Sequence, residues 1–342
     1  MQLNITEKYK DSFEEALNNT IPFKKNTITT MLGYSQGRIS PSGNFYKKKD
    51  FSAKRIRPLL FLFFLDAIGG NWEKYLPVAV SIELLHSFSL IHDDVQDEDI
   101  ERHHRPTIWK IWGVPSAIIT GNVLRTLSYL NLIDSVSIKG NFLKYSLVHK
   151  SFLSICLKLI NGQISDLDYE KQSFISVQEY LNMIRNKTGA LIEFSVEFPA
   201  ILQKIDKEQF KHFKNIGKQL GKVFQIKDDL LGIWGKNNAT GKPVGRDILR
   251  KKKSYPIVLA FQMANLGNRN LLEQIYAKEK LTTQDVKSVF SILQEMDILN
   301  RSNLEIEKLL EKSSHSLLKL NFLNSHKKDL GELLEFLKKR IY

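Results

Sequence analysis

The chain has 342 residues, 42% of them hydrophobic and 25% charged, with a formal net charge of +13. This is globular composition and excludes a disordered or fibrous chain. The basic balance admits an anionic partner, but the lysines are dispersed, the runs at 47–49 and 250–253 are short, and no basic motif interleaved with aromatics points to nucleic acid. Cys156 is the sole cysteine, which rules out an intrachain disulfide and fits a reducing compartment. Residues 1–11 lack the apolar stretch of a signal peptide, and the longest apolar run, 59–65, is too short to span a bilayer. The expectation is a cytoplasmic protein with no transmembrane segment.

Taken in chain order, apolar periodicity predicts helices over 4–19, 54–68, 75–100, 115–134, 141–163, 177–200, 206–235, 253–266, 283–297, 302–319 and 326–340. Ser176–Glu179, Asp206–Gln209, Thr282–Asp285 and Ser302–Glu305 have the spacing of helix-opening caps, and Pro77 and Pro115 suit a first helical turn. The stretches 35–52 and 235–250, rich in Gly, Pro and polar residues, are expected as loops. No pair of alternating β-branched runs is joined by a hairpin turn. With no internal repeat or linker, the architecture expected is a single all-α domain over 1–342 with a deep cavity between long helices. Residues 267–342 carry no motif beyond amphipathic helices and are expected to act as scaffold.

Two acidic clusters carry the chemistry. Asp93-Asp94-Val95-Gln96-Asp97 and Asp228-Asp229-Leu230-Leu231-Gly232 each close an apolar helical stretch. Carboxylates grouped beside apolar surface repel one another and are costly to desolvate unless a cation neutralises them. A cavity holding several hard divalent ions, which in turn hold a polyphosphate, satisfies both clusters. Asp93 and Asp97 are four apart and share a helix face with His86 and Ser89, whereas Asp94 points a quarter turn away. A single Asp pair is ordinarily a surface charge; here the helix C-terminus opposes it and a second cluster echoes it. Gly232 removes the fourth-position carboxylate from the second cluster, so the first can hold two ions and the second one. Lys54 and Arg57 open an apolar helix, where free N–H groups also favour anions. Arg102, Lys187-Thr188, Lys242 and Lys252 are further cations placed around the clusters.

With these motifs the chain resembles the trans-isoprenyl diphosphate synthases of the polyprenyl synthetase family. The matching stretches are Ala53-Lys-Arg-Ile-Arg-Pro-Leu-Leu60, Glu83 through Asp97, Arg102, Arg105-Pro-Thr107, Gly162-Gln163, Lys187-Thr188, Phe224 through Asp229, Gly241-Lys-Pro243 and Asp247 through Pro256, in family order over roughly residues 50–260. The resemblance implies an isoprenoid-synthase-type helical bundle around a central cavity. It implies that Lys54, Arg57 and His86 hold the diphosphate of isopentenyl diphosphate. Asp93, Asp97 and Asp228 would bind three magnesium ions gripping the diphosphate of an allylic substrate, with Asp94 and Asp229 the weaker candidates. Arg102, Lys187 and Lys242 complete that grip, Lys252 closes over it, and Thr188 and Gln225 lie near the reacting carbon. Phe88, five before the first Asp, with Ser89 beside it, would limit chain growth to C20 ahead of C15. A homodimer is implied, with the apolar stretch 118–133 as a candidate interface. His103 stands where the family's second Arg helps hold isopentenyl diphosphate, His104 where Gly is common, Ser52-Ala53 for Gly-Gly, and Gly121-Asn122 for Gly-Asp. Two alternatives remain: a terpene cyclase of the same fold, which needs no isopentenyl diphosphate site, and a non-catalytic subunit of a heteromeric synthase.

Overall fold

The structure, a computed structural model, describes residues 4–21, 24, 26–46, 54–135, 142–235 and 245–339. Its helices are α1 (Asn4–Thr20), α2 (Thr27–Ser35), α3 (Ile56–Ala67), α4 (Leu76–Gln96), α5 (Ile108–Ser135), α6 (Phe142–Glu170), α7 (Val177–Ile184), α8 (Ala190–Leu202), α9 (Lys207–Trp234), α10 (Arg246–Leu249), α11 (Tyr255–Met263), α12 (Leu266–Ala277), α13 (Thr283–Glu295), α14 (Ile298–Leu318) and α15 (Asn324–Lys339). One turn of π-helix, Arg185–Gly189, joins α7 to α8. The only strands among the described residues, β1 (Glu101–Arg102) and β2 (Arg105–Pro106), form a short antiparallel hairpin. The all-α class expected from the sequence is the one observed.

Tertiary contacts divide the chain into two compact units, each discontinuous in sequence: residues 1–156, 194–210 and 321–329 form one, and 157–193, 211–320 and 330–342 the other. In the first, α3 is apolar on all sides, and Leu59 through Leu65 are each no more than 1% exposed; such a helix belongs in the middle of a core. α1 is amphipathic, burying Tyr9, Phe13 and Leu17 at four-residue spacing, and it packs on α3 and α4. Asp66, the one acidic residue of α3, accepts hydrogen bonds from the Lys8 ammonium (2.6 Å) and the Tyr9 hydroxyl (2.7 Å), so its charge is compensated locally. α4 lies along α5. The segment Glu73–Gln96 is long and apolar enough to cross a membrane by length and composition, but 61% of its apolar window is buried inside the protein. Its apolarity serves packing, and packing brings its acidic C-terminal end to one place.

In the second unit, Phe213, Ile216, Leu220, Val223, Ile226, Leu230 and Ile233 form a fully buried stripe along α9 at helical spacing. The end of that stripe joins a core of Ile248, Ile257, Phe261, Leu272, Ile275, Val289, Ile292 and Ile298. Gly189 and Gly221 meet where a Cβ on Gly221 would lie 2.8 Å from the Gly189 Cα; this close approach is open only to glycine.

Several expected boundaries shift. α2 is absent from the prediction because Thr27-Ile28-Thr29-Thr30 is a poor helix former; Asn26 caps it by accepting from the Thr29 N–H (3.0 Å). α5 starts earlier than predicted, with a kink at Gly113 (φ 82°) after which Pro115 takes a first-turn position. The 253–266 segment ends at Met263, and Asn265 opens α12. Ser176 and Thr282 form the capping boxes anticipated, and Asp206 accepts from Glu208 and Gln209 N–H groups (both 2.9 Å). Ser302 is a correction. It lies inside α14, fully buried, and its hydroxyl donates to the Ile298 carbonyl (2.7 Å), because the helix begins a turn earlier at Ile298.

Candidate active site

In the first unit the site is built on the C-terminal end of α4. Asp93 and Asp97 are half-buried, and Asp97 is the capping residue, its N–H donating to the Asp93 carbonyl (2.8 Å). Asp94 turns into the protein, 5% exposed, and accepts from Arg102 Nε at 2.6 Å. Burial pushes its pKa up to about 6 against the opposing pull of Arg102. The quarter turn that separates Asp94 from its neighbours therefore makes it the partner of Arg102, and the guanidinium expected to grip diphosphate is anchored through it. Arg102 belongs to the β1–β2 hairpin, whose turn residues His103 (φ 52°) and His104 (φ 59°) are both left-handed, a turn that favours Asn or Gly. His103 is exposed at its tip. Arg105 fixes the hairpin base by stacking 3.9 Å from the Tyr34 ring centroid and donating to the Tyr34 carbonyl (3.0 Å).

The phosphate-type cations sit at the start of α3. Lys54 is exposed. Arg57 Nη1 lies 3.0 Å from His86 Nε2. Burial, then Arg57 and Arg102, hold the His86 pKa well below its ordinary value, so the imidazole is neutral, with Nε2 accepting from Arg57 and the proton left on Nδ1. Arg55, between Lys54 and Arg57, has a structural role that the motif does not announce. It is 7% exposed, left-handed (φ 46°), and binds Glu83 (2.7 Å), Glu14 (3.0 Å) and the Gln36 carbonyl (3.0 Å). The signal was Glu83, a carboxylate inside an apolar helix that demands a buried cation.

Phe88, 6% exposed, meets the His92 ring edge to face with centroids 4.7 Å apart. A Cβ at position 121 would lie 2.3 Å from His92 Nε2, so Gly121 leaves the ring its place. The Ser89 hydroxyl donates to the His86 carbonyl (2.9 Å) along the helix.

In the second unit, α9 presents Asp228 to solvent and turns Asp229 fully inward. Asp229 accepts from the Tyr180 hydroxyl, from Gln225 Nε2 (2.9 Å) and from the Tyr255 N–H (2.8 Å), tying α7, α9 and α11 together. Burial raises its pKa to about 6, with Lys252 the first influence against it. The Gln225 amide, expected near the reacting carbon, is oriented by this carboxylate. Lys252 Nζ stands 3.9 Å from both Asp229 and Asp247. Burial by itself would lower its pKa, but Asp247 and Asp229 outweigh burial and keep it charged. A Cβ at Gly232 would lie 2.0 Å from Asp247 Oδ2, so the missing carboxylate of the second cluster is replaced in space by Asp247 from the next segment. Lys187 and Thr188, both half-buried, lie on the π-helical turn, and the Lys187 ammonium pairs with Asp166. A Cβ at Gly162 would lie 2.2 Å from the Lys187 nitrogen, which explains how α6 and this turn come so close. Lys242, the 47–49 run and Ser52-Ala53 lie outside the described residues.

Among the described residues no three His, Cys, Asp or Glu side chains converge as a ready cage. Asp93, Asp97 and Asp228 nevertheless fit magnesium in donor chemistry: they are hard carboxylate oxygens with exposure to solvent, and magnesium takes one or two carboxylates, waters and substrate phosphates in preference to an all-protein cage.

A family profile described as polyprenyl synthetase matches residues 47–293. A short chain isoprenyl diphosphate synthase from Methanocaldococcus jannaschii is 34% identical over 241 residues, 70% of this chain and 72% of the relative. A geranylgeranyl diphosphate synthase from Mycobacterium tuberculosis is 32% identical over 81% of this chain and 77% of its own. The crystal structure of geranylgeranyl pyrophosphate synthetase from Pyrococcus horikoshii superposes with a TM-score of 0.86 at 28% identity, covering 98% of this chain and 97% of that one.

Proposed function

The chain belongs to the polyprenyl synthetase family, and from that premise we propose that it is a short-chain prenyltransferase condensing an allylic prenyl diphosphate with isopentenyl diphosphate, head to tail. The carrying observation is the pairing of Arg57 with a neutral His86 on the helix that also bears Asp93 and Asp97. A cyclase needs the acidic motif alone. The relatives' names, which include farnesyl and geranylgeranyl diphosphate synthases, also favour elongation over cyclisation or a non-catalytic role.

Lys54 and Arg57 bind the diphosphate of isopentenyl diphosphate, and His86 offers it the Nδ1 proton. Asp93, Asp97 and Asp228 would hold magnesium, three ions in all, with Asp94 and Asp229 behind them orienting Arg102, Gln225 and Lys252. When bound, the metal supplies positive charge against the leaving diphosphate. Arg102, Lys187, Lys242 and Lys252 meet the same charge as it develops, so they are worth most in the transition state. The allylic C–O bond breaks with its electron pair leaving on diphosphate, and the allylic cation forms. The π electrons of isopentenyl diphosphate make the new C–C bond, and the proton then lost goes to the released diphosphate. The Thr188 hydroxyl and Gln225 amide oxygen stabilise the cation. His86, held neutral by its burial and then by Arg57 and Arg102, is too weak a base to compete. Phe88 and His92 wall the prenyl chain and stop it near C20, with C15 next. A homodimer is supported by exposed apolar side chains on α5 and α6: Ile119 at 56%, Leu130 at 50% and Leu147 at 59%. We place the enzyme in the cytoplasm, where a lone reduced cysteine is at home.

The test is incubation with magnesium, an allylic diphosphate and radiolabelled isopentenyl diphosphate. Label is expected in a C20 product, with turnover abolished by excess chelator, and Phe88→Ala is expected to lengthen the product. Hydrocarbon release without label would overturn the reading in favour of cyclisation.

A further inference from the structure

Three consecutive lysines follow α10, and the structure sends each to a different place. α10 closes with a Schellman turn, in which the Lys251 N–H donates to the Ile248 carbonyl (2.8 Å) and the Lys252 N–H to the Asp247 carbonyl (2.9 Å). That turn needs a left-handed residue just beyond the helix. Here it is Lys251, at φ 52°, in a conformation comfortable for glycine and strained for a residue with a side chain. Its ammonium donates to the carbonyls of Lys278 (2.7 Å) and Tyr276 (3.4 Å) at the C-terminal end of α12. Lys253 does the same elsewhere, its ammonium donating to the carbonyls of Tyr169, Glu170 and Gln172 at the C-terminal end of α6. Both targets are helix ends with unsatisfied carbonyls and the negative pole of a dipole, which favour a cation. Lys252, between the two anchors, goes to neither. It stands 3.9 Å from Asp229 and Asp247, close enough for attraction and too far for a hydrogen bond to either.

We propose that Lys251 and Lys253 are positioning residues, two anchors that pin the backbone on both sides of Lys252 and hold its ammonium at the second acidic motif. The proposal rests on the reading of Lys252 as a cation for the allylic diphosphate. A lysine side chain is flexible and tethered only at its own Cα. Fixing the two flanking residues to separate helix ends narrows what that Cα can do. The carboxylates at 3.9 Å then aim the ammonium without spending its N–H groups, which stay available to phosphate oxygens. Lys251 separates two effects that usually travel together: glycine there relieves the backbone and removes the anchor.

The experiment is a set of mutant cycles on the full chain: Lys251→Gly, Lys253→Met and Lys253→Arg, each alone and combined with Lys252→Met. The readouts are kcat, KM for each substrate, thermal unfolding, and magnesium-dependent affinity for inorganic pyrophosphate. Lys251→Gly and Lys253→Met are each expected to lower kcat about tenfold through misplacement of one group. They should weaken pyrophosphate binding and leave KM for isopentenyl diphosphate unchanged, with Lys251→Gly unfolding no earlier than wild type. Lys253→Arg, which keeps a cation for the same carbonyls, is expected to restore turnover. On the Lys252→Met background neither flanking substitution should cost anything further, the signature of residues acting as one unit. Full additivity with Lys252→Met, or a drop in thermal stability with unchanged turnover per folded molecule, overturns the proposal. A wild-type chain that incorporates no label defeats the functional reading instead, and the pyrophosphate cycle on the same variants still decides the clamp.

Discussion

His86 shows how one residue's charge state is set by what surrounds it. Its burial and the guanidinium of Arg57, 3.0 Å from Nε2, push its pKa well down. In the unfolded chain the ring titrates normally, near 6.5. As pH falls through that value the unfolded state takes up a proton that the folded state refuses, so His86 costs stability on the acid side and nothing above it. His86→Gln is therefore expected to unfold with a weaker acid dependence. Near pH 5.5 the variant should recover about 1.4 kcal/mol relative to its difference from wild type at pH 7.5. Urea titrations at the two pH values check this; parallel pH profiles for the two proteins would mean that the folded imidazole titrates normally. Asp94 and Asp229, set apart in the sequence only as the weaker metal candidates, pair with Arg102 and Gln225, partners that the sequence does not name. Helical spacing says which aspartates share a face; what each face meets is set by how the helix is rotated against its core.

At the scale of elements, the site depends on places where a segment has no room for a side chain. α6 and the π-helical turn touch at Gly162, where a Cβ would lie 2.2 Å from the Lys187 nitrogen, and π-turns mark strained, functional stretches of helix. Gly162→Ala is expected to displace Lys187 and Thr188 and lower kcat about 100-fold with helix content by circular dichroism unchanged. At Gly232 the obstacle is the Asp247 carboxylate at 2.0 Å. Gly232→Asp, which writes a full acidic motif into the sequence, is expected to destabilise the protein by about 1–3 kcal/mol through overpacking alone, read as a lower thermal midpoint. A stable and more active variant would show that Asp247 gives way freely. The helix periods were legible in the sequence because apolar spacing alone sets them. The π-turn was not, since Arg185-Asn-Lys-Thr-Gly189 carries no apolar side chain whose spacing could report the wider turn.

For the molecule as a whole, α5 and α6 carry exposed apolar side chains. Ile119 is 56% and Leu130 50% exposed, large apolar groups that a self-association would bury. Replacing Ile119 and Leu130 together by Asp is expected to weaken a homodimer by roughly 3 kcal/mol or more, about 100-fold in its dissociation constant, read by sedimentation across concentrations. A wild-type chain that sediments as a monomer would leave these side chains without that role.

The sequence by itself determined the all-α class, most helix positions, three of the four anticipated caps and the two acidic motifs with their cations, because helical periodicity, capping and local charge density are properties of neighbours in the chain. Only the tertiary structure decided which groups Asp94 and Asp229 meet, that Arg55 is buried against Glu83 while Lys54 stays exposed, that Asp247 fills the space beside Gly232, and that three successive lysines diverge. Those outcomes depend on how a helix is rotated against its core and on which distant groups meet in the space left over, and neither is encoded in the spacing of residues along one segment.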